Sequence, residues 1–359
     1  MSGSIGMSRR RFGQATLGWA AALGLEACAP RAGTQAHLAL DAALPEAVPP
    51  GTQLTIGDPA TQWVLEHTGW VKDLPFTVNW ARIVGGPEVT EAFNAKALDV
   101  GLGANVPPIH AVWVGIPVKI ITFRTRRDPF DHPVYVIGVS PKARIDALGD
   151  LRGKKIAYSP SQIQSEVVIR TLKAVGLTPH DVQLVELPST GEVYTNALAS
   201  GLIDAAPIGA GIVSERYLRK FAGDGAKVLH HPPFRDDAGN AFVRVETLED
   251  PAKAAALKHY VRAWGRALAW TQTHRQAWVE GYYVKDQGLS PADAALILNA
   301  AGVPDVPVNW DGAVAYQQST IDLMATEHGQ KPFDAETLFD RRFQALAGQA
   351  YLAGLKADA

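Results

Sequence analysis

The sequence holds a single cysteine, Cys28, among 359 residues. An intramolecular disulfide and a cysteine-based zinc cluster are therefore excluded. Neither sign of charge is in excess: 34 basic against 36 acidic side chains gives a net charge of −2. Arg9, Arg10 and Arg11 against Glu26 give residues 1–27 a charge of +2, which leaves −4 for the rest. A nucleic-acid binder would need a basic face, and this balance argues against one. Low-complexity tracts are missing. Outside the N-terminus there is no apolar run of about 18 residues, so no helical membrane span is expected in the mature chain. The ten histidines show no HExxH-type spacing, and the adjacent His230 and His231 would point to opposite faces of a strand. Neither a metal site nor a cofactor is expected.

What is present begins with a targeting pattern. Ser8-Arg9-Arg10-Arg11-Phe12-Gly13 precedes a short apolar stretch, Ala15 to Leu25. A positive segment followed by a short apolar one reads as a secretory signal, and the paired arginines before Phe12 resemble the twin-arginine type. Leu25-Glu26-Ala27-Cys28 resembles a lipobox, with Leu25 and Ala27 in place and Glu26 out of pattern. Residues 1–27 are thus read as export signal and Cys28 as a lipidation site, the alternative being nearby cleavage that leaves a free thiol. Residues 28–50, rich in Ala and Pro, read as a tether to the membrane.

From Leu54 the chain alternates β and α patterns. Strands are expected at Leu54–Asp58, Phe76–Val84, Asp99–Gly103, Val118–Thr125 and Val134–Ser140. A second series follows at Lys155–Ser159, Val182–Leu187, Ala205–Gly209, Val228–His231 and Ala241–Val245, and the chain is mainly helical from Pro251. Such alternation implies βαβ units in mostly parallel sheets. An internal echo, Ala92–Asp99 against Ala197–Asp204, ends a helix, turns and enters a strand through an aspartate in each series. Two similar α/β lobes follow: residues 51–135 with 240–359, and residues 136–239.

In open α/β sheets ligands bind beyond the carboxyl ends of the strands. Those ends are rich here in small, hydroxyl and amide residues, which gives Thr61, Gln62, Gly86, Asn105, Ser161, Gln162, Ser189, Thr190 and Gly209 as candidate ligand contacts. Free N–H groups at helix N-termini would suit an anion. The same residue types are also ordinary caps, and Ser189-Thr190-Gly191-Glu192 fits a capping box that needs no ligand. Trp63 could wall the site or lie under its helix. Arg124, Arg126 and Arg127 could reach an anion or form a solvated surface cluster.

Gly86–Asn94, then Leu98-Asp99-Val100-Gly101, Asn105–Ile109 and Leu148–Ala157 resemble the periplasmic aliphatic sulfonate, nitrate and taurine binding components of ABC importers. The resemblance implies a two-lobed periplasmic binding-protein fold of type II character, with two α/β domains joined by a two-stranded hinge. It also implies a monomer working with a membrane permease and a separate ATPase subunit; consistently, no GxxxxGK[ST] loop is present. The chain departs from the family at Ser159–Ser165 and at Ala206–Ile212, where an aromatic is missing. Sulfonate as the particular solute is thereby left open among small organic anions. Enzymes on the same scaffold, of desulfinase or pyrimidine-precursor synthase type, are the alternative. Both rely on cysteines that this chain lacks outside its signal region. A sensory module would need a transmembrane or signalling segment, and none is seen.

Overall fold

The computed structural model describes residues 37–83 and 85–357. The expected export signal, Cys28 and the tether as far as residue 36 lie outside the described residues.

The first sheet takes β1 (Gln53–Ile56), β2 (Thr77–Trp80), β3 (Val100–Gly103), β4 (Val118–Arg126), β10 (Gly239–Arg244) and β11 (Pro304–Asp305), in the order β11-β4-β10-β3-β1-β2. The second takes β5 (Tyr135–Val139), β6 (Lys155–Tyr158), β7 (Gln183–Glu186), β8 (Ala205–Gly209) and β9 (Lys227–Leu229), in the order β7-β6-β8-β5-β9. The chain leaves the first sheet after Arg126 and returns to it at Gly239, so two connections join the lobes. Helices α1 (Pro59–Thr68), α2 (Gly86–Asn94) and α3 (Val106–Trp113) serve the first lobe, and α4 (Ile163–Ala174), α5 (Val193–Ser200) and α6 (Ile212–Phe221) the second. The C-terminal part adds α7 (Val245–Glu249), α8 (Pro251–Thr273), α9 (Arg275–Trp278), a π-helical stretch over 279–286, α10 (Pro291–Ala301), α11 (Asp311–His328) and α12 (Leu346–Ala357).

Each sheet is parallel through three strands and then takes one antiparallel neighbour. β1 pairs in parallel with β2 and β3, and β6 with β7 and β8, while β10 runs against β3 and β5 against β8. The antiparallel strand is in each case the first one made after the chain crosses between lobes. The sequence echo is this shared plan. Asp99 accepts the Thr55 N–H at 2.9 Å, and Asp204 accepts the Lys155 N–H at 2.8 Å, so equivalent aspartates hold equivalent strands. The turn before each needs a left-handed residue: Gly201 has φ 76° and its counterpart Lys96 has φ 56°. Glycine meets that conformation without the Cβ penalty that lysine bears.

β2 stops well short of the expected Phe76–Val84. Among the described residues it pairs with β1, whose four residues from Gln53 to Ile56 end at the Gly57-Asp58 turn, so the ladder closes with the Ala81 N–H donating to the Ile56 carbonyl at 2.9 Å. The described part of the expected tether, residues 37–50, lies on the first lobe. Leu40, Leu44 and Val48 pack on the large core. The Leu38 N–H donates to the Glu249 carbonyl at 2.8 Å, and Arg342 donates to the Ala42 carbonyl at 2.9 Å. Three apolar side chains spaced by four bury against the domain, which a solvated linker would not do.

The C-terminal helices cover mainly the first lobe. α8 and α12 approach so closely that a Cβ on Gly265 would lie 2.2 Å from the Ala347 carbonyl oxygen. α10 instead reaches α6 of the second lobe, and α11 touches both α3 and α4. Among the described residues no helix is long and apolar enough to cross a membrane.

Candidate functional site

A pocket of about 240 Å³ opens beyond the carboxyl ends of β1, β3 and β4. Its floor is built by Asp58 and Thr61, which open α1, by Gly103 and by Arg124 with Gly239 beside it on β10. Gly239 leaves room for the Arg124 side chain, since an added Cβ would stand 3.1 Å from its Nε. The walls are apolar: Leu268 and Trp264 of α8, Trp278 of α9, Tyr283 of the π-helix, and Leu298 of α10. α10 is also held to the second lobe. Asp293 accepts from Arg216 Nη2 at 2.9 Å, and a Cβ on Gly211 would meet that of Ala300 at 2.7 Å. One wall of this first-lobe pocket is therefore tied to the opposite lobe.

The electrostatics favour an anion. Asp58 is 1% exposed, and both of its oxygens are occupied: Oδ1 accepts the Thr61 N–H at 3.0 Å and Oδ2 the Tyr260 hydroxyl at 2.8 Å. Burial pushes its carboxyl above the ordinary range, while Thr61 and Tyr260 pull it back. Arg124 and Arg275 also line the pocket, and among the described residues neither guanidinium has a hydrogen bond or ion pair. Arg124 is exposed to solvent at the pocket, although protein atoms ring its guanidinium. It is thus both solvent-touched and strongly desolvated, and burial lowers its pKa against the opposing fields of Asp58, Tyr283 and Asp237. A guanidinium stays charged under such a shift, and an unpaired one in a confined apolar site is a strong anchor for an acid group.

The arginines divide. Arg126 spends its guanidinium on the carbonyls of His132 and Ala300, the latter at 3.1 Å, and Arg127 is exposed. Arg124, exposed like Arg127, is the one of the three that lines the pocket. Trp63 sits outside the pocket lining in a satellite aromatic cluster. It stacks on His67 at 4.4 Å and meets Trp278 edge-on at 5.5 Å, and Gly281 presses so close that a Cβ would lie 2.2 Å from its ring.

Of the nine candidates from the strand ends, Thr61 lines this pocket. Gly86 and Gln162 meet between the lobes, where a Cβ on Gly86 would stand 2.3 Å from Gln162 Nε2. Ser161 receives the Gln162 amide at 2.8 Å on its carbonyl, and Gln62 is bound to Glu66 at 2.9 Å. Asn105 is fully buried, and its Nδ2 donates to Glu166 at 2.6 Å and to Thr320 at 2.9 Å. Ser189 is half-buried and Thr190 exposed. The capping box expected there does not form, because α5 starts at Val193 with Glu192 at its N-cap and no side-chain cap bond. Gly209 ends β8 and packs near Val213. At α1 the Thr61 N–H is served by the Asp58 carboxylate, and the full positive charges in this pocket are those of Arg124 and Arg275.

Two α/β lobes, two connecting segments and a pocket at the strand ends define the periplasmic binding-protein fold. The NMT1/THI5-like family model matches residues 69–216. An Escherichia coli (strain K12) protein named for binding aliphatic sulfonates is 25% identical over 68% of this chain and 73% of its own length. The solved periplasmic aliphatic sulphonate binding protein SsuA of Escherichia coli superposes with a TM-score of 0.64 at 20% identity, covering 81% of this chain and 92% of that one. The alkanesulfonate-binding SsuA of Xanthomonas axonopodis pv. citri, solved with MOPS bound, gives 0.64 at 19% identity over 86% and 99%. The desulfurization enzyme DSZB shares the fold more distantly, with a TM-score of 0.53. The resemblance carried by the sequence motifs is met by these comparisons.

Proposed function

We propose that this chain is the extracytoplasmic solute-binding component of an ABC importer. It captures a small organic anion, sulfonate-like in its acid group, and hands it to a membrane permease powered by a separate ATPase subunit. The observation that carries the reading is Arg124, whose guanidinium has no hydrogen bond or ion pair among the described residues and lines an apolar-walled pocket at the strand ends. Thr61 belongs to this site, and Gly86 and Gln162 border the cleft that closes over it. The relatives' names, which concern sulfonates, support the same chemistry. An enzymatic role of the desulfinase type would need a thiol near the site, and the one cysteine is Cys28.

Arg124→Ala is the direct test. Losing a charge-assisted contact should cost about 1.5–3 kcal/mol, roughly tenfold to a hundredfold in affinity. A panel of alkyl and aryl sulfonates, sulfate esters and carboxylates supplies the probes. One that binds the native state alone should add about 2.7 kcal/mol at a hundredfold excess over Kd. If no member raises the melting temperature, or if Arg124→Ala leaves affinity unchanged, the reading falls.

The lobe limits, 51–135 with 240–359 and 136–239, and a monomeric state belong to the same proposal. So does anchoring through lipid on Cys28 after removal of residues 1–27. Wild type should then partition with membranes and Cys28→Ser should be released; identical fractionation of the two would remove the anchor from the proposal.

A further inference from the structure

We infer that the pocket selects an organic anion whose non-acid part is a compact aromatic ring, and that it rejects ligands carrying an ammonium group. The inference rests on the reading of the Arg124 pocket given above and narrows it.

Rejection of zwitterions follows from the charge inventory. Asp58 is the one carboxyl in the pocket wall, and each of its oxygens already accepts a hydrogen bond, from Thr61 and from Tyr260. Among the described residues neither the Arg124 nor the Arg275 guanidinium has a hydrogen bond or ion pair. An ammonium brought here would lose its water and face two guanidiniums, with a single carboxylate, already engaged by Thr61 and Tyr260, as its counter-charge. Discrimination of this kind comes from the repulsive element as much as from the attractive one.

The preference for a ring follows from the walls and the size. Trp264, Trp278 and Tyr283 line the space with Leu268, Leu298 and Pro304. Trp278 and Tyr283 stand edge to face, with centroids 5.5 Å apart. Such surfaces suit a flat body in offset or edge contact. The π-helix over 279–286 carries Tyr283, and a helix widened in this way often marks a functional position. A volume of about 240 Å³ is below the range usual for drug-sized ligands, which limits the body to a single ring.

The test is calorimetric titration of the mature protein with benzenesulfonate, methanesulfonate and taurine, repeated on Arg124→Ala. Benzenesulfonate should bind about tenfold tighter than methanesulfonate or better, through the extra apolar area it buries. Taurine should be the weakest of the three, and Arg124→Ala should weaken benzenesulfonate at least tenfold. Methanesulfonate or taurine binding as tightly as benzenesulfonate, in an Arg124-dependent way, overturns this inference and leaves the anion pocket standing. No binding by any of the three, or binding indifferent to Arg124→Ala, overturns both.

Discussion

Replacing Glu166 by alanine is expected to destabilise the protein by about 3–5 kcal/mol, read by urea unfolding at neutral pH. Glu166 is 1% exposed at the start of α4 and lies where three elements converge. Its Oε1 accepts from Arg170 Nε at 2.7 Å and from the Thr320 hydroxyl at 2.9 Å, and its Oε2 accepts from Asn105 Nδ2 at 2.6 Å. Asn105 opens α3 in the first lobe, Glu166 and Arg170 belong to the second, and Thr320 sits on α11. Removing the carboxylate would take the counter-charge from a largely buried guanidinium and leave the buried Asn105 amide with Thr320 alone and the Thr320 hydroxyl with the Tyr316 carbonyl at 3.3 Å. The second-lobe end of a tie between lobes would be lost with the carboxylate. Glu166→Gln keeps the shape but turns one acceptor into a donor facing Arg170 or Asn105, so it should fall between wild type and alanine. A loss below about 1 kcal/mol for Glu166→Ala would show that the network is not a structural tie. The same geometry predicts that Asn105→Ala lowers stability while leaving affinity for an anionic probe nearly unchanged.

Asn105 also marks where sequence reasoning stops. The α/β alternation, the two strand series, the internal echo and the crossing of the chain between lobes were legible, because each depends on periodicity and local turns. Asn105 was recognisable as a strand-end residue, the class that meets ligands in such folds. What consumes its amide is Glu166 and Thr320, 61 and 215 residues away, and no local pattern reports them. Arg124 shows the converse. Along the strand it looks like one of three clustered cations. Its role is set by Gly239, which gives it room, and by the pocket walls of α8 to α10, all far along the chain. One local signal was available: Arg124 and Arg126 fall on the same face of a strand by its period of two, which is unusual for a solvated cluster in a strand as apolar as β4. The packing of residues 37–50 was legible as well, in the spacing of Leu40, Leu44 and Val48, but their Ala- and Pro-rich surroundings read as linker.

The connection between the lobes carries the second large effect. Asp236, 2% exposed, lies on the returning segment and accepts the Val134 N–H at 2.9 Å and the Tyr135 N–H at 2.7 Å from the outgoing one. His231 Nε2 stands 3.2 Å from the same carboxylate. Its neighbour Asp237 takes the Arg126 N–H and a two-pronged contact from Arg235, at 2.9 and 2.8 Å. The two crossings are thus fastened to each other at both ends of the outgoing segment, near residue 126 and near residue 134. Bending between lobes must then fall on the few residues between these fastenings, since domain closure is absorbed at a small number of positions. Asp236→Ala should cost about 2–4 kcal/mol, from charge-assisted hydrogen bonds that are each substantial but not additive. Hydrogen exchange at the Val134 and Tyr135 amides should accelerate selectively, because those N–H groups lose the carboxylate that accepts from them. Asp236→Asn keeps an acceptor oxygen and should restore part of both effects. Unchanged exchange at Val134 and Tyr135 in Asp236→Ala would mean that the fastening does not hold the crossing. Faster exchange accompanied by weaker binding of an anionic probe, with Arg124 untouched, is the result expected if this fastening sets how the lobes close over the pocket.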